Sequence, residues 1–375
     1  MKILLTGGGT GGHFYPIIAV AQSLRKIIRD EKLIDATMYY MAPSPYDEKL
    51  LFENSIIYKY CAAGKVRRYF SLLNILDAVK TGLGVLKATL DIFTIFPDVV
   101  FSKGGYVSFP VLFAARLFGV PVVIHESDSK PGKVNLWSSK FAKRIAISYP
   151  QAAAYFPKDK VALTGNPIRK ELMTTKTEGA REYWNLDEVT PLIVILGGSQ
   201  GSKKINDALI DALQKLVENY YIIHQTGKDN LAEVTHTANV VLNDSLHRDR
   251  YKPRAYLNDL DIRTAAGASS LIISRAGSTI FEIAMWKKPS IIIPIPEEVS
   301  HDQRSNAFSY ASTGACSVIE EANLTSNILC SEINRIIMNP EIAEAMSKST
   351  EQFIHTDASD KIAREIINIA MSHYK

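Results

Sequence analysis

The chain twice runs a short apolar stretch into a glycine-rich turn and then into a stretch of helical character. Few folds accommodate that pattern. The first copy is Lys2-Ile-Leu-Leu-Thr6, then Gly7-Gly-Gly-Thr-Gly-Gly12, then His13 and an apolar stretch from Pro16 to Leu24. The second, 190 residues on, is Leu192-Ile-Val-Ile-Leu196, then Gly197-Gly-Ser-Gln-Gly201, then a helical stretch near Lys204 to Val217. A glycine turn between a strand and a helix leaves backbone N–H groups available at the positive end of the helix. The missing side chains let a phosphate come close. Two such units predict an α/β chain of two Rossmann-like halves facing one cleft.

The 375 residues suit two domains, and 46% apolar against 22% charged residues allows large cores. The cysteines Cys61, Cys316 and Cys330 form no CxxC or metal-ligand spacing, so buried or free thiols in a reducing compartment are expected. Only three apolar residues separate Lys2 from Thr6, too few for a secretory leader, and no apolar run reaches the ~18 residues of a spanning helix. A cytosolic protein is expected. Charge is uneven: residues 1–165 hold 21 Lys+Arg and 12 Asp+Glu, while 166–375 hold 22 and 27. The basic half contains Lys65-Val-Arg-Arg-Tyr-Phe-Ser-Leu-Leu73 and then an apolar stretch from Ile75 to Phe96. Basic residues beside apolar ones suit an anionic membrane surface; an ordinary core helix with a basic flank is the alternative.

Strands are expected at 2–6, 37–42, 99–102, 122–125, 144–148 and 161–163, with helices between them, notably at 16–29 and 111–117. Gly165-Asn-Pro167 reads as a turn and hinge. The second half alternates again, with strands near 192–196, 221–225, 254–256, 271–274 and 290–293. Its helices are expected near 204–217, 279–286 and 305–312. The tail from Ser359 to Ser372 is an amphipathic helix suited to packing.

Gly7-x-Gly9-x-x-Gly12 satisfies the dinucleotide fingerprint, but the next strand ends Tyr40-Met-Ala-Pro43, with no acid for a ribose, which argues against NAD or FAD. Gly197-x-Ser199-x-Gly201 fits a nucleophile elbow, with Asp259 or Asp261 and His301 in the right order. No HGGG-type oxyanion loop precedes it. Ser102-Lys-Gly-Gly-Tyr106-Val-Ser108 is a third glycine turn, either a plain connection or a second anion or sugar contact. His125-Glu126 ends a strand, where ligands of open α/β sheets gather. His13 stands at a helix start, where the dipole favours a neutral imidazole able to accept a proton or simply to orient a turn. Arg275-Ala-Gly-Ser-Thr279 leads from a strand into a helix, and Glu282 one turn on suits a vicinal diol or the helix dipole.

Together these motifs resemble the MurG family, the UDP-N-acetylglucosamine:lipid I N-acetylglucosaminyltransferases of peptidoglycan synthesis, over essentially the whole chain. Gly8-Gly-Thr-Gly-Gly-His13 with Pro16, Gly104-Gly-Tyr106-Val-Ser108 with Pro110, and Gly197-Gly-Ser-Gln-Gly201 resemble the family's three glycine loops. Gly165-Asn-Pro-Ile-Arg169 resembles its interdomain motif. Arg275-Ala-Gly, Glu282 and Asp302-Gln303 with Asn306 resemble its donor segment. The resemblance implies a GT-B fold. Its acceptor and membrane-facing domain would be 1–165 with the terminal helix 359–375 crossing back, and its UDP-sugar domain 166–358. It implies Arg169 and Ser199 at the diphosphate, Leu257 at the uracil, Glu282 on the ribose, and Ser278, Thr279 and Gln303 at the phosphates and sugar. Thr10, Gly11 and Gly12 would approach the sugar and acceptor, and Gly104, Gly105 and Tyr106 would form an acceptor-side loop. The Arg275–Glu282 segment is one residue shorter than usual, so the roles of Ser278 and Thr279 are defined only to within one position. Many members carry asparagine where this chain has Asp128, with Asn135 an alternative for that contact.

The implied reaction is an inverting transfer from UDP-N-acetylglucosamine to the 4-hydroxyl of a muramoyl-pentapeptide on undecaprenyl pyrophosphate. His13 ranks first as base and Glu126 second. Arg169, the glycine turn and a helix N-terminus can offset the leaving diphosphate, so no metal or other cofactor is expected. No nucleic acid is expected as a partner, and the protein is placed peripherally on the cytoplasmic face of the membrane. The rivals are a diacylglycerol glycosyltransferase, a non-catalytic sugar-nucleotide-binding protein and a UDP-sugar epimerase.

Overall fold

The computed structural model describes residues 1–65, 73–198, 200–296 and 303–372. It divides into two units, Met1–Arg169 with His355–Lys375, and Lys170–Ile354. The basic run 66–72, Ser199, His301 and Asp302 lie outside the described residues.

The first unit runs β1 (Lys2–Thr6), α1 (Gly11–Asp30), β2 (Thr37–Ala42), α2 (Glu48–Glu53), β3 (Ile56–Tyr60), α3 (Leu73–Ile95) and β4 (Val99–Ser102). It continues through α4 (Phe109–Leu117), β5 (Val122–Glu126), α5 (Lys133–Ser138), β6 (Arg144–Ile147) and β7 (Val161–Leu163). The second runs α6 (Ala180–Tyr183), β8 (Leu192–Leu196), α7 (Lys203–Val217), β9 (Tyr221–Gln225), α8 (Leu231–Val241), β10 (Tyr251–Arg254) and α9 (Asp259–Ala268). After these come β11 (Leu271–Ser274), α10 (Thr279–Met285), β12 (Ser290–Ile292), α11 (Arg304–Ala311), β13 (Cys316–Val318), α12 (Ser326–Ile337) and α13 (Pro340–Ser349). The last helix, α14 (Ala358–Met371), belongs to the first unit.

The sheets run β3-β2-β1-β4-β5-β6-β7 and β10-β9-β8-β11-β12-β13, with every pairing parallel. Parallel sheets are covered on both faces, so central strands read as unbroken apolar runs. Lys2-Ile-Leu-Leu and Leu192-Ile-Val-Ile-Leu are such runs, and from Ile3 and Leu192 onward they are buried. Chain order reverses between β1 and β4 and again between β8 and β11. Loops leaving the carboxyl ends of such neighbours diverge and open a crevice, where ligands of this fold class bind.

α14 closes the first unit. Ile362, Ala363, Ile366, Ile367 and Ala370 join the core formed by Ile17, Ile18, Ala21 and Leu24 of α1. Arg364 pairs with Glu31 at 2.6 Å, and Glu365 with Arg144 at 2.9 Å. α3 behaves differently. Leu76, Val79, Leu83, Leu86, Leu90 and Phe93 recur at three and four residues, the spacing of a buried stripe, yet each is 57–68% exposed. Phe113 and Leu117 of the neighbouring α4 are exposed too.

Edge strands differ from expectation. β3 and β13 are partly exposed and mixed in polarity, so neither carries the apolar run of a central strand. The expected strand at 254–256 is found at Tyr251–Arg254, with Pro253 inside it. A proline is tolerated there because β10 is an edge strand.

Candidate functional site

In the first unit, β1 ends at Thr6 and the glycine turn delivers the chain into α1, where the Thr10 carbonyl accepts from the His13 and Phe14 N–H groups at 3.2 Å each. His13 therefore stands in the first turn of the helix. Its Nδ1 lies 3.2 Å from the Gly8 carbonyl, which can only accept, so Nδ1 carries the proton and Nε2 is the basic nitrogen of the neutral ring. The ring rests on the turn leaving β4. A Cβ on Gly105 would come within 3.0 Å of His13 Nδ1, and φ of +79° favours glycine there in any case. His13 thus spans the β1/β4 crevice.

β5 ends in the same crevice with His125 and Glu126, both buried. His125 Nε2 donates to the Gly165 carbonyl at 3.0 Å. Burial, and then the nearby Lys103, hold His125 well below the ordinary histidine range. Glu126 is 4% exposed. Its Oε1 accepts from the Asp128 N–H at 2.9 Å, and its Oε2 from the Gly132 N–H at 3.0 Å and Asn135 Nδ2 at 2.9 Å. Burial and then Asp128 push its carboxyl up to about 7, against the pull of those donors. Glu126 therefore organises the loop that carries Asp128. Asn135 also donates to the His125 carbonyl at 3.1 Å.

Arg169 closes the Gly165–Arg169 motif and is buried. Its guanidinium carbon lies 4.3 Å from the centroid of Tyr15, on α1, so the cation sits beside the first turns of that helix.

In the second unit, Gly197–Gly201 connects β8 to α7, whose N-cap Ser202 accepts from the Ile205 N–H at 3.3 Å. Gly201 has φ of +75°, and a Cβ there would lie 1.9 Å from the Thr226 carbonyl oxygen, so only glycine fits. Gln225, at the carboxyl end of β9, donates to the Gly198 carbonyl at 2.9 Å and accepts from the Leu257 N–H at 3.0 Å. It joins the glycine turn to Leu257. Arg275, just past β11, donates to Ser202 Oγ at 2.5 Å and to the Ile293 carbonyl at 3.2 Å, and pairs with Glu321. It brackets the ends of three neighbouring strands. Asn306 donates to the Ala276 carbonyl at 3.2 Å, and Gln303 accepts from the Ile295 N–H at 3.3 Å. The start of α11 thus supports the turn that leads through Ser278 into α10, which carries Thr279 and Glu282.

Comparison with known proteins separates the readings that this geometry shares. The glycosyltransferase family 28 N-terminal domain matches residues 3–147, and the family 28 C-terminal domain matches residues 192–362. One relative, a UDP-N-acetylglucosamine–N-acetylmuramyl-(pentapeptide) pyrophosphoryl-undecaprenol N-acetylglucosamine transferase of Bacillus thuringiensis, is 37% identical over 91% of this chain and 92% of its own. This chain belongs to the MurG family of glycosyltransferases. Among solved structures, MurG of Acinetobacter baumannii is 24% identical and superposes with a TM-score of 0.72, covering 98% of this chain and 99% of that one. A UDP-N-acetylglucosamine 2-epimerase of Neisseria meningitidis superposes nearly as well, at 0.70 with 17% identity, covering 98% of this chain and 100% of that one. At those identities the superpositions bear on fold alone, and the fold is the expected α/β GT-B class. The MurG-family assignment comes from sequence.

Within the MurG-family frame, the structure gathers Thr10, Gly11, Gly12, His13, Gly104, Gly105, Tyr106, Glu126 and Asp128 at strand ends and turns of the first unit. Arg169 joins them there. In the second unit Leu257 follows β10, Ser278 and Gln303 precede α10 and α11, Thr279 and Glu282 lie in the first turn of α10, and Ser199 is outside the described residues. Gln225 was not anticipated, although the strand-end rule that singles out His125 applies equally to it. Among the described residues, no group of three or more His, Cys, Asp or Glu is arranged to hold a metal ion. No described helix is long and apolar enough to cross a membrane.

Proposed function

We infer that the chain transfers N-acetylglucosamine from UDP-N-acetylglucosamine to the 4-hydroxyl of N-acetylmuramoyl-pentapeptide carried on undecaprenyl pyrophosphate, converting lipid I to lipid II. The observation that carries this reading is 37% identity to a transferase of that name over 91% of the chain. A shared fold would fit an epimerase as well.

The donor is assigned to the second unit. Its diphosphate is met by N–H groups of the Gly197–Gly201 turn, the N-terminus of α7 and Ser199. Leu257 faces the uracil, Glu282 takes the ribose hydroxyls, and Ser278, Thr279 and Gln303 line the phosphates and sugar. Arg169 adds a cation for the leaving UDP. From the first unit, Thr10, Gly11, Gly12 and Asp128 meet the sugar and acceptor, with Gly104, Gly105 and Tyr106 on the acceptor side. His13 is the general base. Its Nδ1 proton is tied to Gly8, so Nε2 takes the proton of the attacking hydroxyl as charge develops at the anomeric carbon. Glu126, with both oxygens accepting, holds the loop rather than the proton.

The acceptor is lipid-linked, and the exposed stripe on α3 supplies a surface for it. We assign that stripe, with Phe113 and Leu117, to the cytoplasmic face of an anionic membrane. The basic run at 65–68 precedes the stripe in sequence and is opposite in charge to such a membrane.

The reading is tested with purified protein, labelled UDP-N-acetylglucosamine and a short-chain lipid I analogue. Disaccharide-lipid is the expected product. Transfer to diacylglycerol instead, or donor binding without turnover beside an active control enzyme, contradicts it.

A further inference from the structure

The first glycine turn carries Gly7 and Gly8 at φ of +139° and +149° and has no side chains there to fix its own course. It is held from β2. Tyr40 pairs in register with Leu5, and its ring is fully buried, edge-on to Phe14 with centroids 5.5 Å apart. The Tyr40 hydroxyl donates to the Gly7 carbonyl at 2.6 Å. A Cβ on Gly8 would come 2.7 Å from that hydroxyl oxygen, so the hydroxyl also fills the space beside the next residue. Burial pushes the phenol above its ordinary range, so it stays a donor near neutral pH. Thr6 ties the same two strands again, its Oγ1 donating to the Met41 carbonyl at 2.9 Å. The next carbonyl of the turn, that of Gly8, is the one His13 Nδ1 meets at 3.2 Å. Two consecutive carbonyls are thus engaged, the first by Tyr40 and the second by His13.

We propose that Tyr40 is a positioning residue for the transfer, its hydroxyl fixing the Gly7–Gly8 backbone so that the Gly8 carbonyl keeps His13 protonated at Nδ1 and basic at Nε2. The inference rests on the reading of His13 as general base. The strand that in a dinucleotide site brings an acid to the ribose here brings the anchor of the turn. Which imidazole nitrogen holds the proton is set by the bond the other makes. A Gly8 carbonyl set loose lets the ring take the other tautomer, whose Nε2 carries a hydrogen and accepts no proton.

Tyr40→Phe removes the hydroxyl and keeps the ring. Tyr58→Phe is the control, because its hydroxyl donates to the Ala42 carbonyl at 3.0 Å, outside the glycine turn. Nitrogen-15 NMR of the histidine rings, at a pH where they are neutral, reads the tautomer of His13, whose signals are those lost in His13→Gln. The Nδ1–H form is expected in the parent and in Tyr58→Phe, with the Nε2–H form appearing in Tyr40→Phe. In Tyr40→Phe, kcat with the lipid I analogue is expected to fall about tenfold, with KM for UDP-N-acetylglucosamine within about twofold. Tyr58→Phe is expected to keep kcat within about twofold of the parent. A parental tautomer or a parental kcat in Tyr40→Phe overturns the proposal, as do equal losses of kcat in the two variants. A Tyr40→Phe chain that does not fold makes the hydroxyl a structural group and overturns it as well. So does an Nε2–H tautomer in the parent, which is read without any variant at position 40. If the parent does not transfer, the reading of His13 as base fails, and the tautomer comparison still decides whether Tyr40 sets the ring.

Discussion

At the residue scale, His13 and His224 show what burial and a fixed tautomer do to the same side chain. His13 is held through Nδ1 at the mouth of the first crevice, which makes Nε2 its basic nitrogen. His13→Ala is expected to lower kcat by about 10²–10⁴-fold while UDP-N-acetylglucosamine binding, followed by calorimetry, stays near parental strength. His224 lies inside the second unit, with Nε2 on Asn206 Oδ1 at 3.0 Å and Nδ1 accepting from the Tyr251 hydroxyl at 2.8 Å. Both ring nitrogens are used by the neutral form, and burial pushes the group down to about 3. The unfolded chain protonates this ring near the ordinary 6.5 and the folded chain does not. Stability from this residue is therefore complete above that value and is lost as pH falls toward 3. The loss is on the order of 1.4 kcal/mol per pH unit in that window. Thermal melts between pH 7 and pH 5 should show this slope in the parent and a shallower one in His224→Gln.

At the element scale, the functional parts are turns between strands and helices, and Gln225 shows how one turn is held to another. Gln225→Ala removes the link between Gly198 and Leu257. It is expected to raise KM for UDP-N-acetylglucosamine about tenfold, the worth of one or two hydrogen bonds, with little change in kcat. Initial-rate kinetics at saturating acceptor check this. Gly201→Ala is expected to cost about 2 kcal/mol or more of stability, read by denaturant unfolding, because its Cβ would meet the Thr226 carbonyl. Central strands and both glycine turns were legible in the sequence because buried parallel strands are unbroken apolar runs that stop at glycine. β3 and β13 were not, because an edge strand needs no such run. The bracket made by Arg275 was not legible either, since its partners Ser202, Ile293 and Glu321 are brought to it only by the sheet order. Lys103 was visible in its motif, but its burial at the level of His125 depends on the β4–β5 register.

At the scale of the whole molecule, two parallel sheets each present one crevice, and one helix of the first presents an apolar stripe to solvent. The stripe predicts that a Leu83→Ser/Leu90→Ser variant loses sedimentation with anionic vesicles while its rate on a water-soluble acceptor analogue stays within about twofold, because neither side chain is part of a core. A transferase joins two sugars where an epimerase rearranges one, a distinction that superposition on both does not make. The direct measurement is proton NMR of the chain with UDP-N-acetylglucosamine, first alone and then with a lipid I analogue. An unchanged donor is expected in the first sample, and in the second UDP release with a new sugar linkage whose anomeric coupling shows inversion. Appearance of the manno epimer without acceptor, or no new linkage with it, would contradict the account.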